Sequence, residues 1–315
     1  MKSLEPACVI VSQEEDLHAF GVRHRLRRLG VPTEIICTDR LSGVEALSWT
    51  PAAQASGTLP NEEGVPVRLG SVKTVWWRRL SRSVPTEVEE DIQLHLIGND
   101  CEAALIGVFE TDFSGTWIDH PTSIRRAENK LVQLRLAHEM GLSHPATLVT
   151  QDAARLCEFV AEHERVVAKV LRGTNTAPLA TVSLDATRLP LESVRMAPTI
   201  FQEEVRGSSH LRVVVFGEAV YAFRITSPHL DWRPYTDTAV ELVQLDPGVE
   251  MSLKRFLVAL HLRMGSFDLK IKDDGEVVFL EVNPQGQFLF LQSKTGVDLA
   301  TACAEYLASS PQGAA

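Results

Sequence analysis

Two runs of alternating apolar and polar residues, 266–272 and 276–283, flank Asp274-Gly275. An Asp-Gly pair between such runs predicts a hairpin closed by a two-residue turn. Counting outward from that turn places Asp273 opposite Glu276 and Asp268 opposite Glu281. Directly paired residues share one sheet face, with Cβ atoms roughly 4.5–5.5 Å apart. Asn283 lies two residues past Glu281 and joins that face.

The same patterning organises the rest of the chain. Cys8-Val9-Ile10-Val11 predicts a strand. Leu17, Phe20, Leu26 and Leu29 recur at helical spacing over about 14–29, with Gly30 as the stop. A second strand at 33–37 completes a β-α-β opening, which predicts a parallel sheet. Residues 42–71 are weakly patterned, and strand character returns at 72–79. A helix is expected over about 86–109, and His120-Pro121 marks a boundary. From Thr122 or Ser123, a good N-cap, one helix is expected to run to Met140 and stop at Gly141. A strand at 146–149, a helix capped by Asp152, and a strand at 166–171 follow. The polar loop Arg172-Gly173-Thr174-Asn175-Thr176, directly after Lys169, fits a phosphate cover. A strand at 199–205 precedes a hairpin, 211–216 and 219–224, turning at Gly217-Glu218. Residues 227–247 read as a long polar loop, and such loops are often functional. Helices are expected at about 249–264 and 295–308.

Composition changes this picture little. With 315 residues, 44% hydrophobic and 23% charged, the chain is an ordinary globular one, long enough for two domains. No apolar run approaches the roughly 20 residues of a membrane span, and the opening residues lack a signal-peptide pattern. The five cysteines are scattered without a C-x-x-C pair, so reduced thiols and a cytoplasmic location are expected. The net charge of −10 argues against a general nucleic-acid binder. An acidic substrate then needs a local basic patch. Arg23, Arg25, Arg27 and Arg28 form one candidate, and Trp76-Trp77-Arg78-Arg79 another; the first also reads as a solvated helix face. Neither G-x-G-x-x-G nor G-x-x-x-x-G-K-[ST] occurs, and the turn after the first strand, 12–16, is acidic. The usual phosphate loops are therefore excluded there.

The hairpin carries the chemistry. Two carboxylates on one face repel, and a hard cation with oxygen ligands resolves this; Mg²⁺ bridging carboxylates and substrate phosphates is the common case. Lys169 sits among Val166, Val167, Ala168, Val170 and Leu171, and an inward charge there needs a partner such as an ATP phosphate. Lys130 on a helix is ordinarily a solvated residue. Arg212 suits bidentate phosphate or carboxylate binding, or reads as a cross-strand surface charge.

The order of these pieces resembles the ATP-grasp superfamily: Lys130, Lys169, Gln202-Glu203-Glu204-Val205, Arg212, Asp268 and Glu281-Val282-Asn283-Pro284. The chain is more closely similar to the graspetide maturases of the microviridin type, through Val75-Trp76-Trp77-Arg78-Arg79, Asp231-Trp232-Arg233 and the run 279–288. The resemblance extends over nearly the whole chain. It implies an ATP-grasp fold of mixed α+β and α/β class. An N-terminal α/β domain (1–120) would precede a small central α+β subdomain (121–200) and a C-terminal antiparallel-sheet subdomain (201–315). By the same resemblance, Lys130 and Lys169 contact ATP phosphates, Gln202, Glu203, Glu204 and Val205 form the adenine hinge, and Arg212 faces the transferred phosphate or the acceptor carboxylate. Asp268, Glu281 and Asn283 would hold Mg²⁺. Arg78, Arg79, Asp231, Trp232 and Arg233 are candidates for binding the substrate. The chain departs from the family at His210, where relatives more often carry an acidic residue, and at Gln292, where they often carry Glu.

The implied reaction converts an Asp or Glu side chain of a ribosomally made precursor peptide into an acyl phosphate. A Ser, Thr or Lys of the same peptide then closes a macrocyclic ester or amide. Such enzymes recognise a leader segment, and tethering raises the effective concentration of the acidic core. A homodimer is compatible with the resemblance. Two other readings remain open from the residues: a ligase joining an amino acid or small amine to a carboxylate, and a non-catalytic ATP-binding regulator.

Overall fold

The computed structural model describes residues 4–43, 47–51, 57–83, 85, 88–172, 181–235 and 237–309. The chain forms two compact units: Met1–Pro121 together with Gln287–Ala315, and Thr122–Gly286.

In the first unit, strand β1 (Cys8–Ser12), helix α1 (Leu17–Arg28) and strand β2 (Thr33–Cys37) make the expected β-α-β opening. Strands β3 (Thr58–Pro60) and β4 (Pro66–Arg68) form a small antiparallel pair. Strand β5 (Thr74–Trp77) precedes helix α2 (Asp91–Asp112) and strand β6 (Thr116–Ile118). The main sheet is parallel, in the order β2-β1-β5-β6. Every residue of β1 and β5 is buried, as befits strands covered on both faces.

The Trp-Trp-Arg-Arg run turns inward. Arg78 is only 1% exposed, its Nε lies 3.3 Å from Asp16 Oδ2, and its guanidinium stacks over the Trp76 ring. It belongs to an interior ion pair, and Arg79 is half-buried. Three of the four arginines of α1 are likewise engaged: Arg23 pairs with Glu62, Arg25 with Asp298, and Arg27 with Glu34.

The second unit opens with α3 (Pro121–Ala127) and α4 (Lys130–Glu139). The single helix expected over 122–140 is thus two. Asn129 divides them, because its side chain accepts from the amides of Leu131 and Val132 and caps α4. Lys130 is therefore the first residue of a helix, not a mid-helix position. Strand β7 (Thr147–Thr150), helix α5 (Ala153–Glu162), strands β8 (Val166–Lys169) and β9 (Val182–Ser183), short helix α6 (Leu191–Val194) and strand β10 (Thr199–Glu203) follow. Their sheet runs β7-β10-β8-β9, all antiparallel, over a core of Leu156, Val166, Val194 and Phe201.

A five-stranded antiparallel sheet completes this unit, in the order β13-β12-β11-β14-β15. It contains β11 (Ser209–Phe216), β12 (Ala219–Thr226), β13 (Ala239–Val243), β14 (Met264–Ile271) and β15 (Val277–Asn283). The expected loop at 227–247 is therefore interrupted by edge strand β13. Helix α7 (Pro247–Ala259) covers the sheet by burying Leu253, Phe256 and Leu257, with Phe256 against Phe267 and Phe279.

The β14–β15 turn differs from the expected one. The Gly275 amide donates to the Lys272 carbonyl, Lys272 pairs with Glu276, and Gly275 has φ +90°. The turn therefore holds three residues, closed by a left-handed glycine. Asp273 does not face Glu276. A bulge beside Asp268 then shifts the register by one, so Asp268 still pairs with Glu281.

Helix α9 (Leu299–Ser309) is the one expected at about 295–308, and a further short helix, α8 (Leu289–Thr295), precedes it and ends at Gly296 with φ +77°. Both belong to the first compact unit. His18 Nε2 accepts from the amides of Phe288 and Leu289, at 2.9 and 3.1 Å. Among the described residues, no helix is long and apolar enough to cross a membrane.

Removing the α4 cap by Asn129→Ala lowers stability by about 1 kcal/mol, measurable by denaturant unfolding. A pH dependence follows from His18. Burial, aided by Arg78 and opposed by Asp16, holds its pKa below the ordinary value. The unfolded chain therefore takes up a proton that the folded one resists. This contribution to stability is present above the unfolded pKa of about 6.5 and is lost as pH falls below it. Wild type loses stability between about pH 7 and pH 5 more steeply than His18→Gln; equal slopes would refute the assignment.

Candidate functional site

Three adjacent strands of the five-stranded sheet place charged residues in one cross-strand row: Arg212 on β11 pairs with Asp268 on β14, which pairs with Glu281 on β15. The Arg212 Nη1 donates to both oxygens of Asp268, at 2.8 and 2.9 Å. Asn283 Nδ2 reaches Asp268 Oδ2 at 3.2 Å and Glu281 Oε1 at 3.5 Å. Lys130 Nζ lies 3.5 Å from Glu281 Oε2. From the loop before β13, Arg233 Nη1 lies 3.9 Å from Glu281 Oε1, and its guanidinium forks onto Asp231 at 2.8 and 2.7 Å. Lys169, at the end of β8, is held in the same electrostatic group.

The electrostatics follow from burial. Burial pulls the Lys169 pKa down to about 8, with Glu281 opposing and Lys130 and Arg233 assisting. Burial also raises the Asp268 pKa, against the pull of Arg212. At Glu281 burial is outweighed by Lys130, Arg233 and Lys169, which hold the carboxyl below its usual range. Four cations (Lys130, Lys169, Arg212, Arg233) meet three carboxylates (Asp231, Asp268, Glu281), so the group carries an excess of one positive charge. Such a group favours an anionic ligand.

Among the described residues, no cluster of three or more His, Cys, Asp or Glu forms a ready-made metal cage. The donors available here are two carboxylates and one amide, which suit a hard, oxygen-preferring cation such as Mg²⁺. Asn283 now turns its NH₂ toward both carboxylates. To act as a ligand it must turn over and present Oδ1.

The segment 202–205 lies near this row. Lys270 is two residues along β14 from Asp268 and feels the charge of Glu204. Gln202 is buried and donates to Thr147 Oγ1 at 2.9 Å. The amides of Glu203 and Glu204 donate to the carbonyls of Ala146 and Arg165, and Glu204 also pairs with Arg165 at 3.2 Å. Glu203 is exposed, and Val205 is buried. His210 shares the Arg212 face of β11. Burial, reinforced by Lys270, lowers its pKa to about 4, so the side chain is neutral at pH 7. Gln292 lies in the first unit, where its Oε1 accepts from the Ala300 amide. Trp232 is half-buried. Most of the loop 172–176 lies outside the described residues.

The sequence reading missed Gly286. Its amide donates to the Asn283 carbonyl, folding the chain back over the row. A Cβ there would sit 2.4 Å from Ser266 Cβ and 2.8 Å from Arg212 Nη2. Pro284-Gln285-Gly286 directly after Asn283 was the available signal.

No family model and no curated protein matches the chain. Solved structures do. The chain superposes on a Chryseobacterium gregarium RiPP-associated ATP-grasp ligase, solved with ADP and a leader and core peptide, with a TM-score of 0.86, 24% identity and 97% of each chain covered. It is similar to macrocyclase MdnC of Microcystis aeruginosa, solved with precursor peptide MdnA, at TM-score 0.86 and 23% identity over 96% of this chain and 99% of that one. Macrocyclase MdnB of the same organism gives 0.82 and 25%, over 96% and 100%. These end-to-end superpositions, together with the mixed sheets described above, establish that the chain has the ATP-grasp fold.

Proposed function

We propose that this protein is an ADP-forming carboxylate ligase. It activates Asp or Glu side chains of a ribosomally made precursor peptide and closes macrocyclic esters or amides with Ser, Thr or Lys. The observation that carries this reading is the row Arg212, Asp268 and Glu281 with Lys130 and Lys169 gathered on it, an oxygen-donor site with surplus positive charge. The fold shared with the ADP-bound and peptide-bound ligases supports it. A cytoplasmic location fits the five free cysteines.

In this reading ATP and the peptide are substrates. Lys130 and Lys169 bind phosphate oxygens, and the backbone of 202–205 receives the adenine. The amides of Glu203 and Glu204 are already engaged, by the carbonyls of Ala146 and Arg165. Asp268, Glu281 and Asn283 hold Mg²⁺, which neutralises phosphate charge when bound. The peptide carboxylate attacks the γ-phosphorus, forming the acyl phosphate and releasing ADP. A hydroxyl or amine then attacks the acyl carbon, phosphate leaves with the bonding electrons, and the nucleophile loses its proton. Arg212 orients the transferred phosphoryl group, and Arg233, fixed by Asp231, faces the incoming peptide. The protein needs no nucleophile of its own. Its work is alignment, charge compensation and exclusion of water.

Co-expression with a short neighbouring reading frame ending in clustered Thr, Ser, Asp and Glu tests the reading directly. Mass spectrometry then detects the loss of one water per ring. Binding of ATP without peptide-dependent ADP release would favour a regulator instead. Asp268→Asn and Glu281→Gln each abolish peptide-dependent ADP release in protein that still folds, as circular dichroism checks; normal turnover by either would remove the metal assignment. Gly286→Ala displaces the Arg212 guanidinium and lowers kcat by about 10²-fold, with the KM for ATP little changed. Steady-state kinetics on the purified variant checks this.

A further inference from the structure

Strand β15 is an edge of its sheet, and an edge strand presents backbone groups that no neighbouring strand pairs. Val282, between Glu281 and Asn283, is buried, so its amide and carbonyl need partners. Both are met by one side chain. The Val282 amide donates to Gln133 Oε1 at 2.9 Å, and Gln133 Nε2 donates back to the Val282 carbonyl at 2.9 Å. The same Nε2 donates to the Ala127 carbonyl, at the end of α3, at 2.6 Å. Gln133 is 3% exposed, and both amide hydrogens and its oxygen are committed. The side-chain amide thus imitates a residue of a neighbouring strand.

Its place on α4 gives this pairing a consequence. Lys130 lies one turn earlier on the same helix face, with Nζ 3.5 Å from Glu281 Oε2. Helix α4 therefore holds β15 at two points, the carboxylate of residue 281 and the backbone of residue 282. Residues 281 and 283 point to the opposite face from 282, so fixing the backbone at 282 fixes both side chains together. We infer that Gln133 is the positioning residue of the cation site, setting Glu281 and Asn283 in register with Lys130. This inference rests on the reading that Glu281 and Asn283 hold the cation.

The test uses the full-length protein, with Mn²⁺ as the spectroscopic probe and ADP present. Free Mn²⁺ is titrated by electron paramagnetic resonance, and ADP affinity is measured separately without metal. Gln133→Met removes all three hydrogen bonds at nearly constant volume. Gln133→Glu keeps the acceptor for Val282 and loses the donors, and it serves if the first variant fails to fold. Either variant is expected to weaken Mn²⁺ binding by about 10- to 100-fold with metal-free ADP affinity unchanged. Wild-type Mn²⁺ affinity in a folded variant overturns the inference. So does parallel loss of metal-free ADP binding, or failure of both variants to fold, since each reduces Gln133 to a general support of the fold. Glu281→Gln separates the two levels. If it loses Mn²⁺ while Gln133→Met does not, only the positioning role fails. If it binds Mn²⁺ like wild type, the cation assignment fails and the positioning role with it.

Discussion

Two carboxylates on one sheet face set the problem that the second unit is built to solve. At roughly 5 Å and an effective dielectric near 20, Asp268 and Glu281 would repel by about 3 kcal/mol. That exceeds the roughly 1 kcal/mol net value of an ordinary hydrogen bond, so sheet pairing alone does not offset it. Compensation comes from four separate elements. Arg212 arrives on the neighbouring strand, Lys130 at the start of α4, Lys169 at the end of β8, and Arg233 from the loop before β13. Residues far apart in sequence are thereby committed to one face.

This compensation is not neutral, and its imbalance gives the site a direction. A purely structural cluster would need only enough positive charge to cancel its acids. Here burial also presses on Lys169, pulling its pKa down to about 8, so its charge is held under strain. A polyanion relieves that strain. A divalent cation carried by that polyanion would add positive charge beside Asp268 and Glu281, where Arg212 and Lys130 now stand. Nucleotide and metal are therefore expected to bind together.

Some of this could be read from sequence, and the reasons differ by residue. The Asp268–Glu281 pairing was reached by assuming a two-residue turn. The turn has three residues, and a bulge beside Asp268 restores the register. The alternation of apolar residues fixed which face each run presents near the site, but it carries no information on where an extra residue is absorbed. The break at Asn129 was missed because Asn is tolerated within helices as well as at caps, and the periodicity on either side is similar. The burial of Arg78 is not legible, because a Trp-Trp-Arg-Arg run looks the same whether its arginines reach solvent or an interior Asp16. For Gly286 the run Pro284-Gln285-Gly286 signals only a turn, and for Gln133 the sequence gives no signal. Their significance lies in the distance to atoms from remote strands, which no local pattern encodes.

The edge position of β15 follows from the same constraint. A central strand has both backbone edges tied to neighbouring strands, so its side chains are placed by the sheet alone. On an edge strand, one side of the backbone remains for a different element to grip, and α4 does so with Gln133. The helix that supplies a cation for Glu281 can then also set where Glu281 stands. Pro284, which has no amide to offer a ladder, ends the strand immediately beyond Asn283. The chain is turned at once to Gly286, whose missing side chain leaves the space occupied by Ser266 and the Arg212 guanidinium. Strand edge, helix clamp and glycine turn are thus one device, and each is needed because two like charges were placed side by side.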